Sequence, residues 1–546
     1  MSEDEALSFN LVDRPWLLAC RRDGTLAELS LRDVFVQAPQ LNSLLGDVPT
    51  QVFAVTRLLL AILHRAVAGP RDLDHWTRLW QDERLPVEQI EQYLERWRHR
   101  FDLLHFQAPF FQVADLRTEK GEASELNKLV ADIPNGYPFF CMRLDRELSL
   151  PFAEAARWVV HCQAFDPSGI KSGAVGDSRV KGGKGYPIGT GWGGYLGGLI
   201  PEGPTLRDTL LLNLIARDHP SLPGRQEEDL PAWERDPVGP AEEVAGGRAP
   251  TGPIDLYTWQ NRRIRLTYDH VRVTGVLVCN GERITPQNKH TVEAHSAWRR
   301  SQAQEKKLRT SPVYMPREHD PERAIWRGLQ SLLPAAAGAG GGEPAPALTP
   351  AVLEWLSHLS MDVLGLDYPV HLHAIGMTYG SQSSTTEEVI DDALAVRSVL
   401  LTRRAEHLVS AVVASVSAAE SAARALSSLA GRLTEAAGGD PEGPRDRARE
   451  HAYAELDVLF RDWLARLRPD TDSLDAQQDW HRTAYYAIRT LGSELLRRSP
   501  EQAWVGRLVK ERRLTSAHAD RWFRKDLRDA LPLAFAETDT PAVTPA

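Results

Sequence analysis

Thirteen glycines stand between Gly169 and Gly203, nine of them within Gly182–Gly198, GGKGYPIGTGWGGYLGG. Glycine gives up more backbone freedom on folding than any other residue, so no helix or strand interior is built this way. The chain must cross this region as a loop, and an ordered loop of this composition needs its backbone close to something. The interleaved Tyr186, Ile188, Trp192, Tyr195 and Leu196 argue against a flexible linker, because linkers are polar. Lys171, Arg179, Lys181 and Lys184 lie among the glycines. Bare N–H groups can then approach an anion or a base edge while the cations screen phosphates. The region reads as an ordered binding loop.

Enzyme signatures do not accompany it. The GGKG around Lys184 lacks the GxxxxGK spacing and the following Ser or Thr of a phosphate-binding loop. No GxGxxG opens a helix after a strand, and no HExxH or GxSxG occurs. His319-Asp320 has no second His–Asp set at metal spacing, and His371 and His373 are two ligands only. Cys20, Cys141, Cys162 and Cys279 are scattered with no CxxC, which excludes a zinc ribbon and a disulfide framework. The expectation is a non-enzyme with no metal and no cofactor.

The rest of the chain divides in character. Near the N-terminus, two apolar runs flank RRDG, and Asp23-Gly24 is a hairpin signal. Helical periodicity covers 50–67, with Thr50 as N-cap, then 71–82 and 87–100. FDLLHFQAPFFQV (101–113) suits a packed turn. Residues 217–253, rich in Pro, Gly and charge, read as a flexible exposed excursion, 334–350 as a low-complexity, disordered loop, and RRIRLTYDH with VTGVLVCNGERI as paired strands. After about residue 385 prolines vanish until 441. Ser384 and Thr385 each precede a Glu by three positions, a capping-box pattern, and further helices are expected at about 444–468, 474–498 and 500–530, the last opened by Ser499-Pro500-Glu501-Gln502. The fold class is therefore α+β: a mixed α/β N-terminal domain (1–388), a C-terminal four-helix bundle (389–536) and a tail (537–546).

With 546 residues, several domains are expected. No uninterrupted apolar run reaches the roughly 18 residues that span a bilayer, and the acidic start MSEDEALSFN lacks a signal-peptide core, so a cytoplasmic location is expected. The net charge of −10 argues weakly against nucleic acid, but residues 481–528 carry 12 basic and 5 acidic side chains, a local surface for an anionic ligand or a solvated helix face.

FNLVDRPWLLA, FDLLHFQAPFFQ, QAFDPSGIKSG, RDTLLLNLI, LYTWQNRRIRL and TPQNKHTVEAHSAWRRS, in this order over residues 9–310, together resemble the CasA family, the large subunit of the type I-E CRISPR surveillance complex Cascade. The resemblance implies a non-catalytic subunit that recognises the protospacer-adjacent motif (PAM) of target double-stranded DNA, promotes unwinding and R-loop formation, and recruits a helicase–nuclease. It implies as partners the other Cascade subunits, the CRISPR RNA 5′ handle, target duplex and displaced strand, with no membrane.

Site residues follow from the same resemblance. The minor-groove glycine loop matches Trp192, Gly193, Gly194, Tyr195, Gly197 and Gly198, and the groove lysine Lys289, with Arg283 a second candidate. The hairpin wedge matches Tyr379, Ser381, Gln382 and Ser383. Phe139, Phe140 and Arg143 match a loop that docks on the guide complex. Some members carry a mid-chain cysteine cluster; only Cys279 stands there in this chain. The basic stretch, with Arg497, Arg498, Arg512 and Arg513, is then a candidate for phosphates of the duplex or displaced strand. The alternative is a helical scaffold that binds protein partners only.

Overall fold

The computed structural model describes residues 7–131, 133, 148–222, 228–337, 345–509 and 512–535. The first third holds β1 (Leu17–Arg21), β2 (Leu26–Leu29), α1 (Leu31–Gln37), β3 (Leu41–Leu45), α2 (Pro49–Ala66), α3 (Leu73–Gln81), α4 (Val87–Trp97), β4 (Leu150–Pro151) and α5 (Phe152–Phe165). Next come β5 (Lys171–Ser172), β6 (Lys184–Gly185), β7 (Gly198–Glu202), α6 (Leu206–Leu212), α7 (Pro253–Tyr257), β8 (Arg262–Tyr268) and β9 (Arg272–Asn280). Then follow β10 (Trp298–Arg300), α8 (Gln302–Leu308), β11 (Tyr314–Pro316), α9 (Pro334–Ala337), β12 (Ala347–Leu348), α10 (Ala351–Asp362), β13 (Pro369–Tyr379) and β14 (Thr386–Arg397). The chain ends in α11 (Glu406–Ala437), α12 (Glu442–Arg466), α13 (Ser473–Arg497), α14 (Glu501–Val505), β15 (Arg507–Val509), β16 (Arg512–Leu514) and α15 (Ser516–Ala530).

The class is α+β, in two compact units: 1–325 with 340–359 and 370–393, and 326–339 with 360–369 and 394–546. The helical unit thus takes in two segments earlier than the 388/389 boundary. Aromatic packing and hydrogen bonding recruit them: the Trp326 ring lies 4.4 Å from that of Phe460, its indole N–H donates to Asp457 at 2.8 Å, and the Ser398 amide donates to the Tyr368 carbonyl.

In the first unit, α2 and α5 are apolar around most of their circumference and buried, so both are core helices. Thr50 does not cap α2. Val48 takes that position without a side-chain bond, Pro49 occupies the first turn, and the Thr50 hydroxyl pairs with His161 Nε2 at 2.8 Å. Three sheets matter here: β2-β1-β3, β14-β13-β7, and β4-β9-β5-β6 with β8 along β9. The 217–253 excursion is partly internal: Trp233 is buried, and Asp229 accepts the Ile254 and Asp255 amides at the start of α7. In 334–350, Ala347 and Leu348 pair with β10; residues 338–344 lie outside the described residues.

The second unit is built on α11, whose small residues let α12, α13 and α15 pack close along it. This is the one described helix long and apolar enough to cross a membrane by length and composition, and its apolar side chains are buried among those helices. Two expectations fail. The Ser384/Thr385 capping pattern opens no helix; TEEVIDDALAVR extends as β14, because the edge of β13 is open to pair with it. The 500–530 helix is broken into α14, the β15–β16 hairpin and α15. Gly506 sits at φ +72°, and Ser499 bonds back to Leu496 instead of capping α14.

Candidate nucleic-acid interface

The glycine-rich region is pinned at its start and at Gly189 by one buried arginine. Arg262 starts β8, and its guanidinium donates to the Asp166 carboxylate at 2.5 Å and to the Gly189 carbonyl at 2.8 Å. Lys171 reaches the same carboxylate at 2.6 Å, and the Gly191 amide donates to the Asp166 carbonyl at 3.0 Å. Burial alone would raise the Asp166 carboxyl; Lys171 and Arg262 hold it below the usual carboxylate range.

Residues Trp192–Tyr195 form a single 3-10 turn whose first three residues are buried. The Trp192 indole donates to Glu293 at 2.6 Å, and Glu293 accepts both arms of Arg57 at 3.0 and 2.9 Å. Arg57 lies over the rings of Tyr257 and Phe53, at 4.5 and 5.1 Å. Burial opposes charge on Glu293, but the guanidinium keeps its carboxyl low, while burial drives the His295 ring down to about 3, so it stays neutral.

The glycines of this turn answer to protein neighbours. A side chain on Gly191 would overlap the Ala164 carbonyl, and one on Gly193 would start 2.7 Å from the Phe165 ring. On Gly194 it would meet two ring carbons of Tyr379 at 2.9 Å and its hydroxyl closer still. Gly197 and Gly198 are buried against the Arg317 carbonyl and the Ile375 carbonyl, and Tyr195 is half-buried. The Gly198 carbonyl also takes a 2.8 Å bond with His319, which gives the His-Asp dipeptide a structural place.

Tyr379 is the hinge between this turn and the next feature. It ends β13 and its buried hydroxyl donates to the Phe165 carbonyl at 2.6 Å, with burial pushing the phenol well upward. Beyond it the chain turns through 380–385, closed by Gly380 N–H to the Thr385 carbonyl at 2.9 Å. Gln382 stands at φ +56°, ψ +21° and Ser383 at φ +53°. Two successive left-handed residues that are not glycine are strained. Ser381 and Gln382 are exposed, and the Gln382 side chain makes no hydrogen bond with the described residues.

A protein-family model described as CRISPR-associated protein Cse1 matches residues 10–491. The chain belongs to the Cse1 family. The crystal structure of Thermobifida fusca Cse1 is 49% identical, covers 97% of this chain and 99% of its own, and superposes with a TM-score of 0.91. CRISPR-associated protein CasA/Cse1 of Thermus thermophilus is 29% identical over 409 residues, 73% of each protein. A chain of a CRISPR RNA-guided surveillance complex, at 19% identity, covers 96% of this chain and 99% of its own with a TM-score of 0.71, a likeness of fold.

Within this Cse1-family fold, Lys289 lies one turn before Glu293, whose amide donates to the Lys289 carbonyl. Its amine folds back on the Gln287 carbonyl at 3.3 Å, and burial lowers its affinity for the proton. Arg283 is exposed on the segment beside Gly247, and nothing draws it to the glycine turn. Of the four cations in the glycine region, Lys171 is tied to Asp166 and Arg179 to Asp177 and Glu242, leaving Lys181 and Lys184 exposed. Arg497 and Arg498 end α13 exposed, Arg498 3.6 Å from Glu494; Arg512 lies on β16, and Arg513 donates to the Val505 carbonyl at 2.9 Å. Phe139, Phe140, Arg143 and Cys141 lie outside the described residues. Among the described residues no cluster of three metal-ligating side chains occurs. Cys20, Cys162 and Cys279 are free thiols, with Cys279 pushed up to about 12 by burial.

Sequence reasoning missed Arg262, Asp166, Glu293 and Arg57. The only signal was the charged residues inside apolar runs, in RRIRL and TVEAHS.

Proposed function

We propose that this chain is the large, non-catalytic subunit of an RNA-guided type I-E surveillance complex. In this reading it detects the PAM of target duplex DNA from the minor groove and opens the adjacent base pair. It also holds the R-loop and recruits the helicase–nuclease. The observation that carries the reading is the bolt between two features: Tyr379 spans from the 380–385 turn to Gly194 and the Phe165 carbonyl, so an exposed, strained glutamine stands on a base shared with the glycine turn. A protruding polar tip on a rigid base suits a wedge that splits a base step, at a cost of a few kcal/mol offset by new contacts. Lys289 reaches a groove by releasing one long hydrogen bond to Gln287. Minor-groove readout is degenerate, so several motifs are tolerated. The exposed Arg497, Arg498 and Arg513, at the end of α13 and on β16, give phosphate contacts that weaken with salt.

The test is a gel shift on the reconstituted guide-RNA complex, with and without this chain, on matched duplexes bearing a permissive or a scrambled motif. The variant to use is Gln382→Ala, because any side chain on Gly194 strikes Tyr379 and confounds binding with folding. Motif-dependent binding that Gln382→Ala abolishes supports the reading. Binding blind to the motif, or unchanged without this chain, leaves the scaffold role, which the burial of Trp192–Gly194 also fits.

A further inference from the structure

The glycine-rich region has a second part that faces outward. β5 and β6 pair antiparallel, Lys171 opposite Gly185 and Ser172 opposite Lys184. The connection from β5 to β6 runs through 173–183, and it enters β6 by a two-residue turn closed by reciprocal backbone bonds between Lys181 and Lys184, 3.0 and 3.2 Å, around Gly182 and Gly183 at φ +59° and +71°. A two-residue turn with both φ positive matches the twist of the strands it joins. Nothing lies within 4 Å of where a side chain on either glycine would start. These two glycines therefore serve the turn and leave bare backbone toward solvent, unlike Gly191, Gly193 and Gly194.

Lys181 and Lys184 flank that backbone, exposed, with no carboxylate in ion-pair reach among the described residues. Continuing the strand register by one residue sets Ile170 opposite Tyr186, and these side chains are 60% and 54% exposed. An apolar side chain beside an aromatic ring in water, next to two unpaired lysines, stands out in a chain of net charge −10. The finger is held from below: Lys171 sits on Asp166, the Asn280 amide donates to the Tyr186 carbonyl at 2.6 Å, and Ser172 pairs with Cys279 of β9. It also stands beside the wedge turn, since a side chain on Gly169 would start 3.9 Å from Ser384 Cβ.

We infer that the Lys181–Lys184 turn, with Tyr186 and Ile170, is a binding surface for single-stranded DNA. The surface rests on the reading of the 380–385 turn as a wedge. A base unpaired at Gln382 stacks on Tyr186 against Ile170, and its flanking phosphates meet Lys181 and Lys184. Stacking on an aromatic face tolerates any base, and lysine reads the phosphate alone, so the surface holds a displaced strand without regard to sequence.

The complete guide-RNA complex is titrated across a salt series with four DNAs: a permissive-motif duplex, a scrambled-motif duplex, the same target pre-opened as a bubble, and the target strand alone. Lys181→Gln with Lys184→Gln is expected to weaken duplex and bubble binding and to reduce the slope of log K against log salt by about 1.4, the value for two single-strand phosphates. Tyr186→Ala is expected to lose about five-fold or more, and Tyr186→Phe to match wild type. All variants should bind the target strand alone as wild type does, because no displaced strand exists there. Variants that match wild type on duplex and bubble overturn the inference. So do variants that lose equally on the target strand alone, or that fail to join the guide complex, which would make the finger an RNA- or protein-docking surface. A wild-type complex blind to the motif overturns the underlying PAM reading instead, and the bubble still tests the finger by itself.

Discussion

The 191–198 turn and the 380–385 turn look alike on paper: short, small-residue stretches between apolar runs, both proposed above to face DNA. They differ in what their backbone is near. The first is buried, and its glycines exist because Phe165, Tyr379 and the Ala164 carbonyl leave no room for a side chain. The second is exposed and holds non-glycine residues in a left-handed conformation that glycine would occupy at less expense. Glycine richness marks close approach, but the approaching group can be the protein itself. Strain on an exposed side chain is the better pointer to a ligand.

The largest effect expected bears on the buried turn. Glu293→Gln leaves Arg57 unpaired in the core and is expected to destabilise the chain by about 3–5 kcal/mol in chemical denaturation. Gly194→Ala is expected to cost about 1–3 kcal/mol by overpacking against Tyr379. Trimming Tyr379 to Leu should recover part of that loss in a double-mutant cycle, and strict additivity would show that the two do not meet.

His373 tests the base that the two turns share. On β13 its ring bonds Glu202 of β7 at 2.7 Å and Asp391 of β14 at 2.6 Å. Burial lowers its pKa, but the two carboxylates outweigh it and raise the ring to about 9. Its contribution is therefore complete below the ordinary histidine value near 6.5 and lost as pH rises through about 9. The expected loss between pH 7 and 10 is about 1–2 kcal/mol, discounted because Asp391 faces solvent, and His373→Gln should flatten that limb. Tyr379→Phe is expected to cost about 1 kcal/mol, read as a shift in Tm.

The smallest effect bears on the exposed turn and has the opposite sign. Gln382→Gly is expected to stabilise by up to about 1 kcal/mol through relief of strain. A destabilised Gln382→Gly variant would show that the side chain serves the fold, and the contrast between the two turns would fail.

Elements whose signals are local were legible in the sequence. The Asp23-Gly24 hairpin, α3, α4, the β8–β9 pair, α12 and α13 each carry their own periodicity and turn residues. β14 was not, because its capping-like Thr and Glu residues are overridden by the free edge of β13, a partner visible only in three dimensions. The break at Gly506 was hidden by a helical charge pattern on both sides. In the candidate site, Gln382 was legible as a position through resemblance, but its strain was not. Arg262 showed only as a charge in an apolar run: an arginine at the start of a strand reads as solvent-facing, and Asp166 and the Gly189 carbonyl, brought in from far upstream, make it a core residue.

That arginine also orders events in time. Asp166 and Arg262 are 96 positions apart in the chain. At about 5–20 residues per second of synthesis, roughly 5–20 s separate the emergence of the carboxylate from that of its partner. During that interval the glycine-dense stretch lacks the Arg262 bonds to Asp166 and Gly189, and only Lys171 and the Gly191 amide are there to hold it to Asp166. The loop is thus among the last parts of its unit to set, and a nascent chain halted before residue 262 would present it open to proteases.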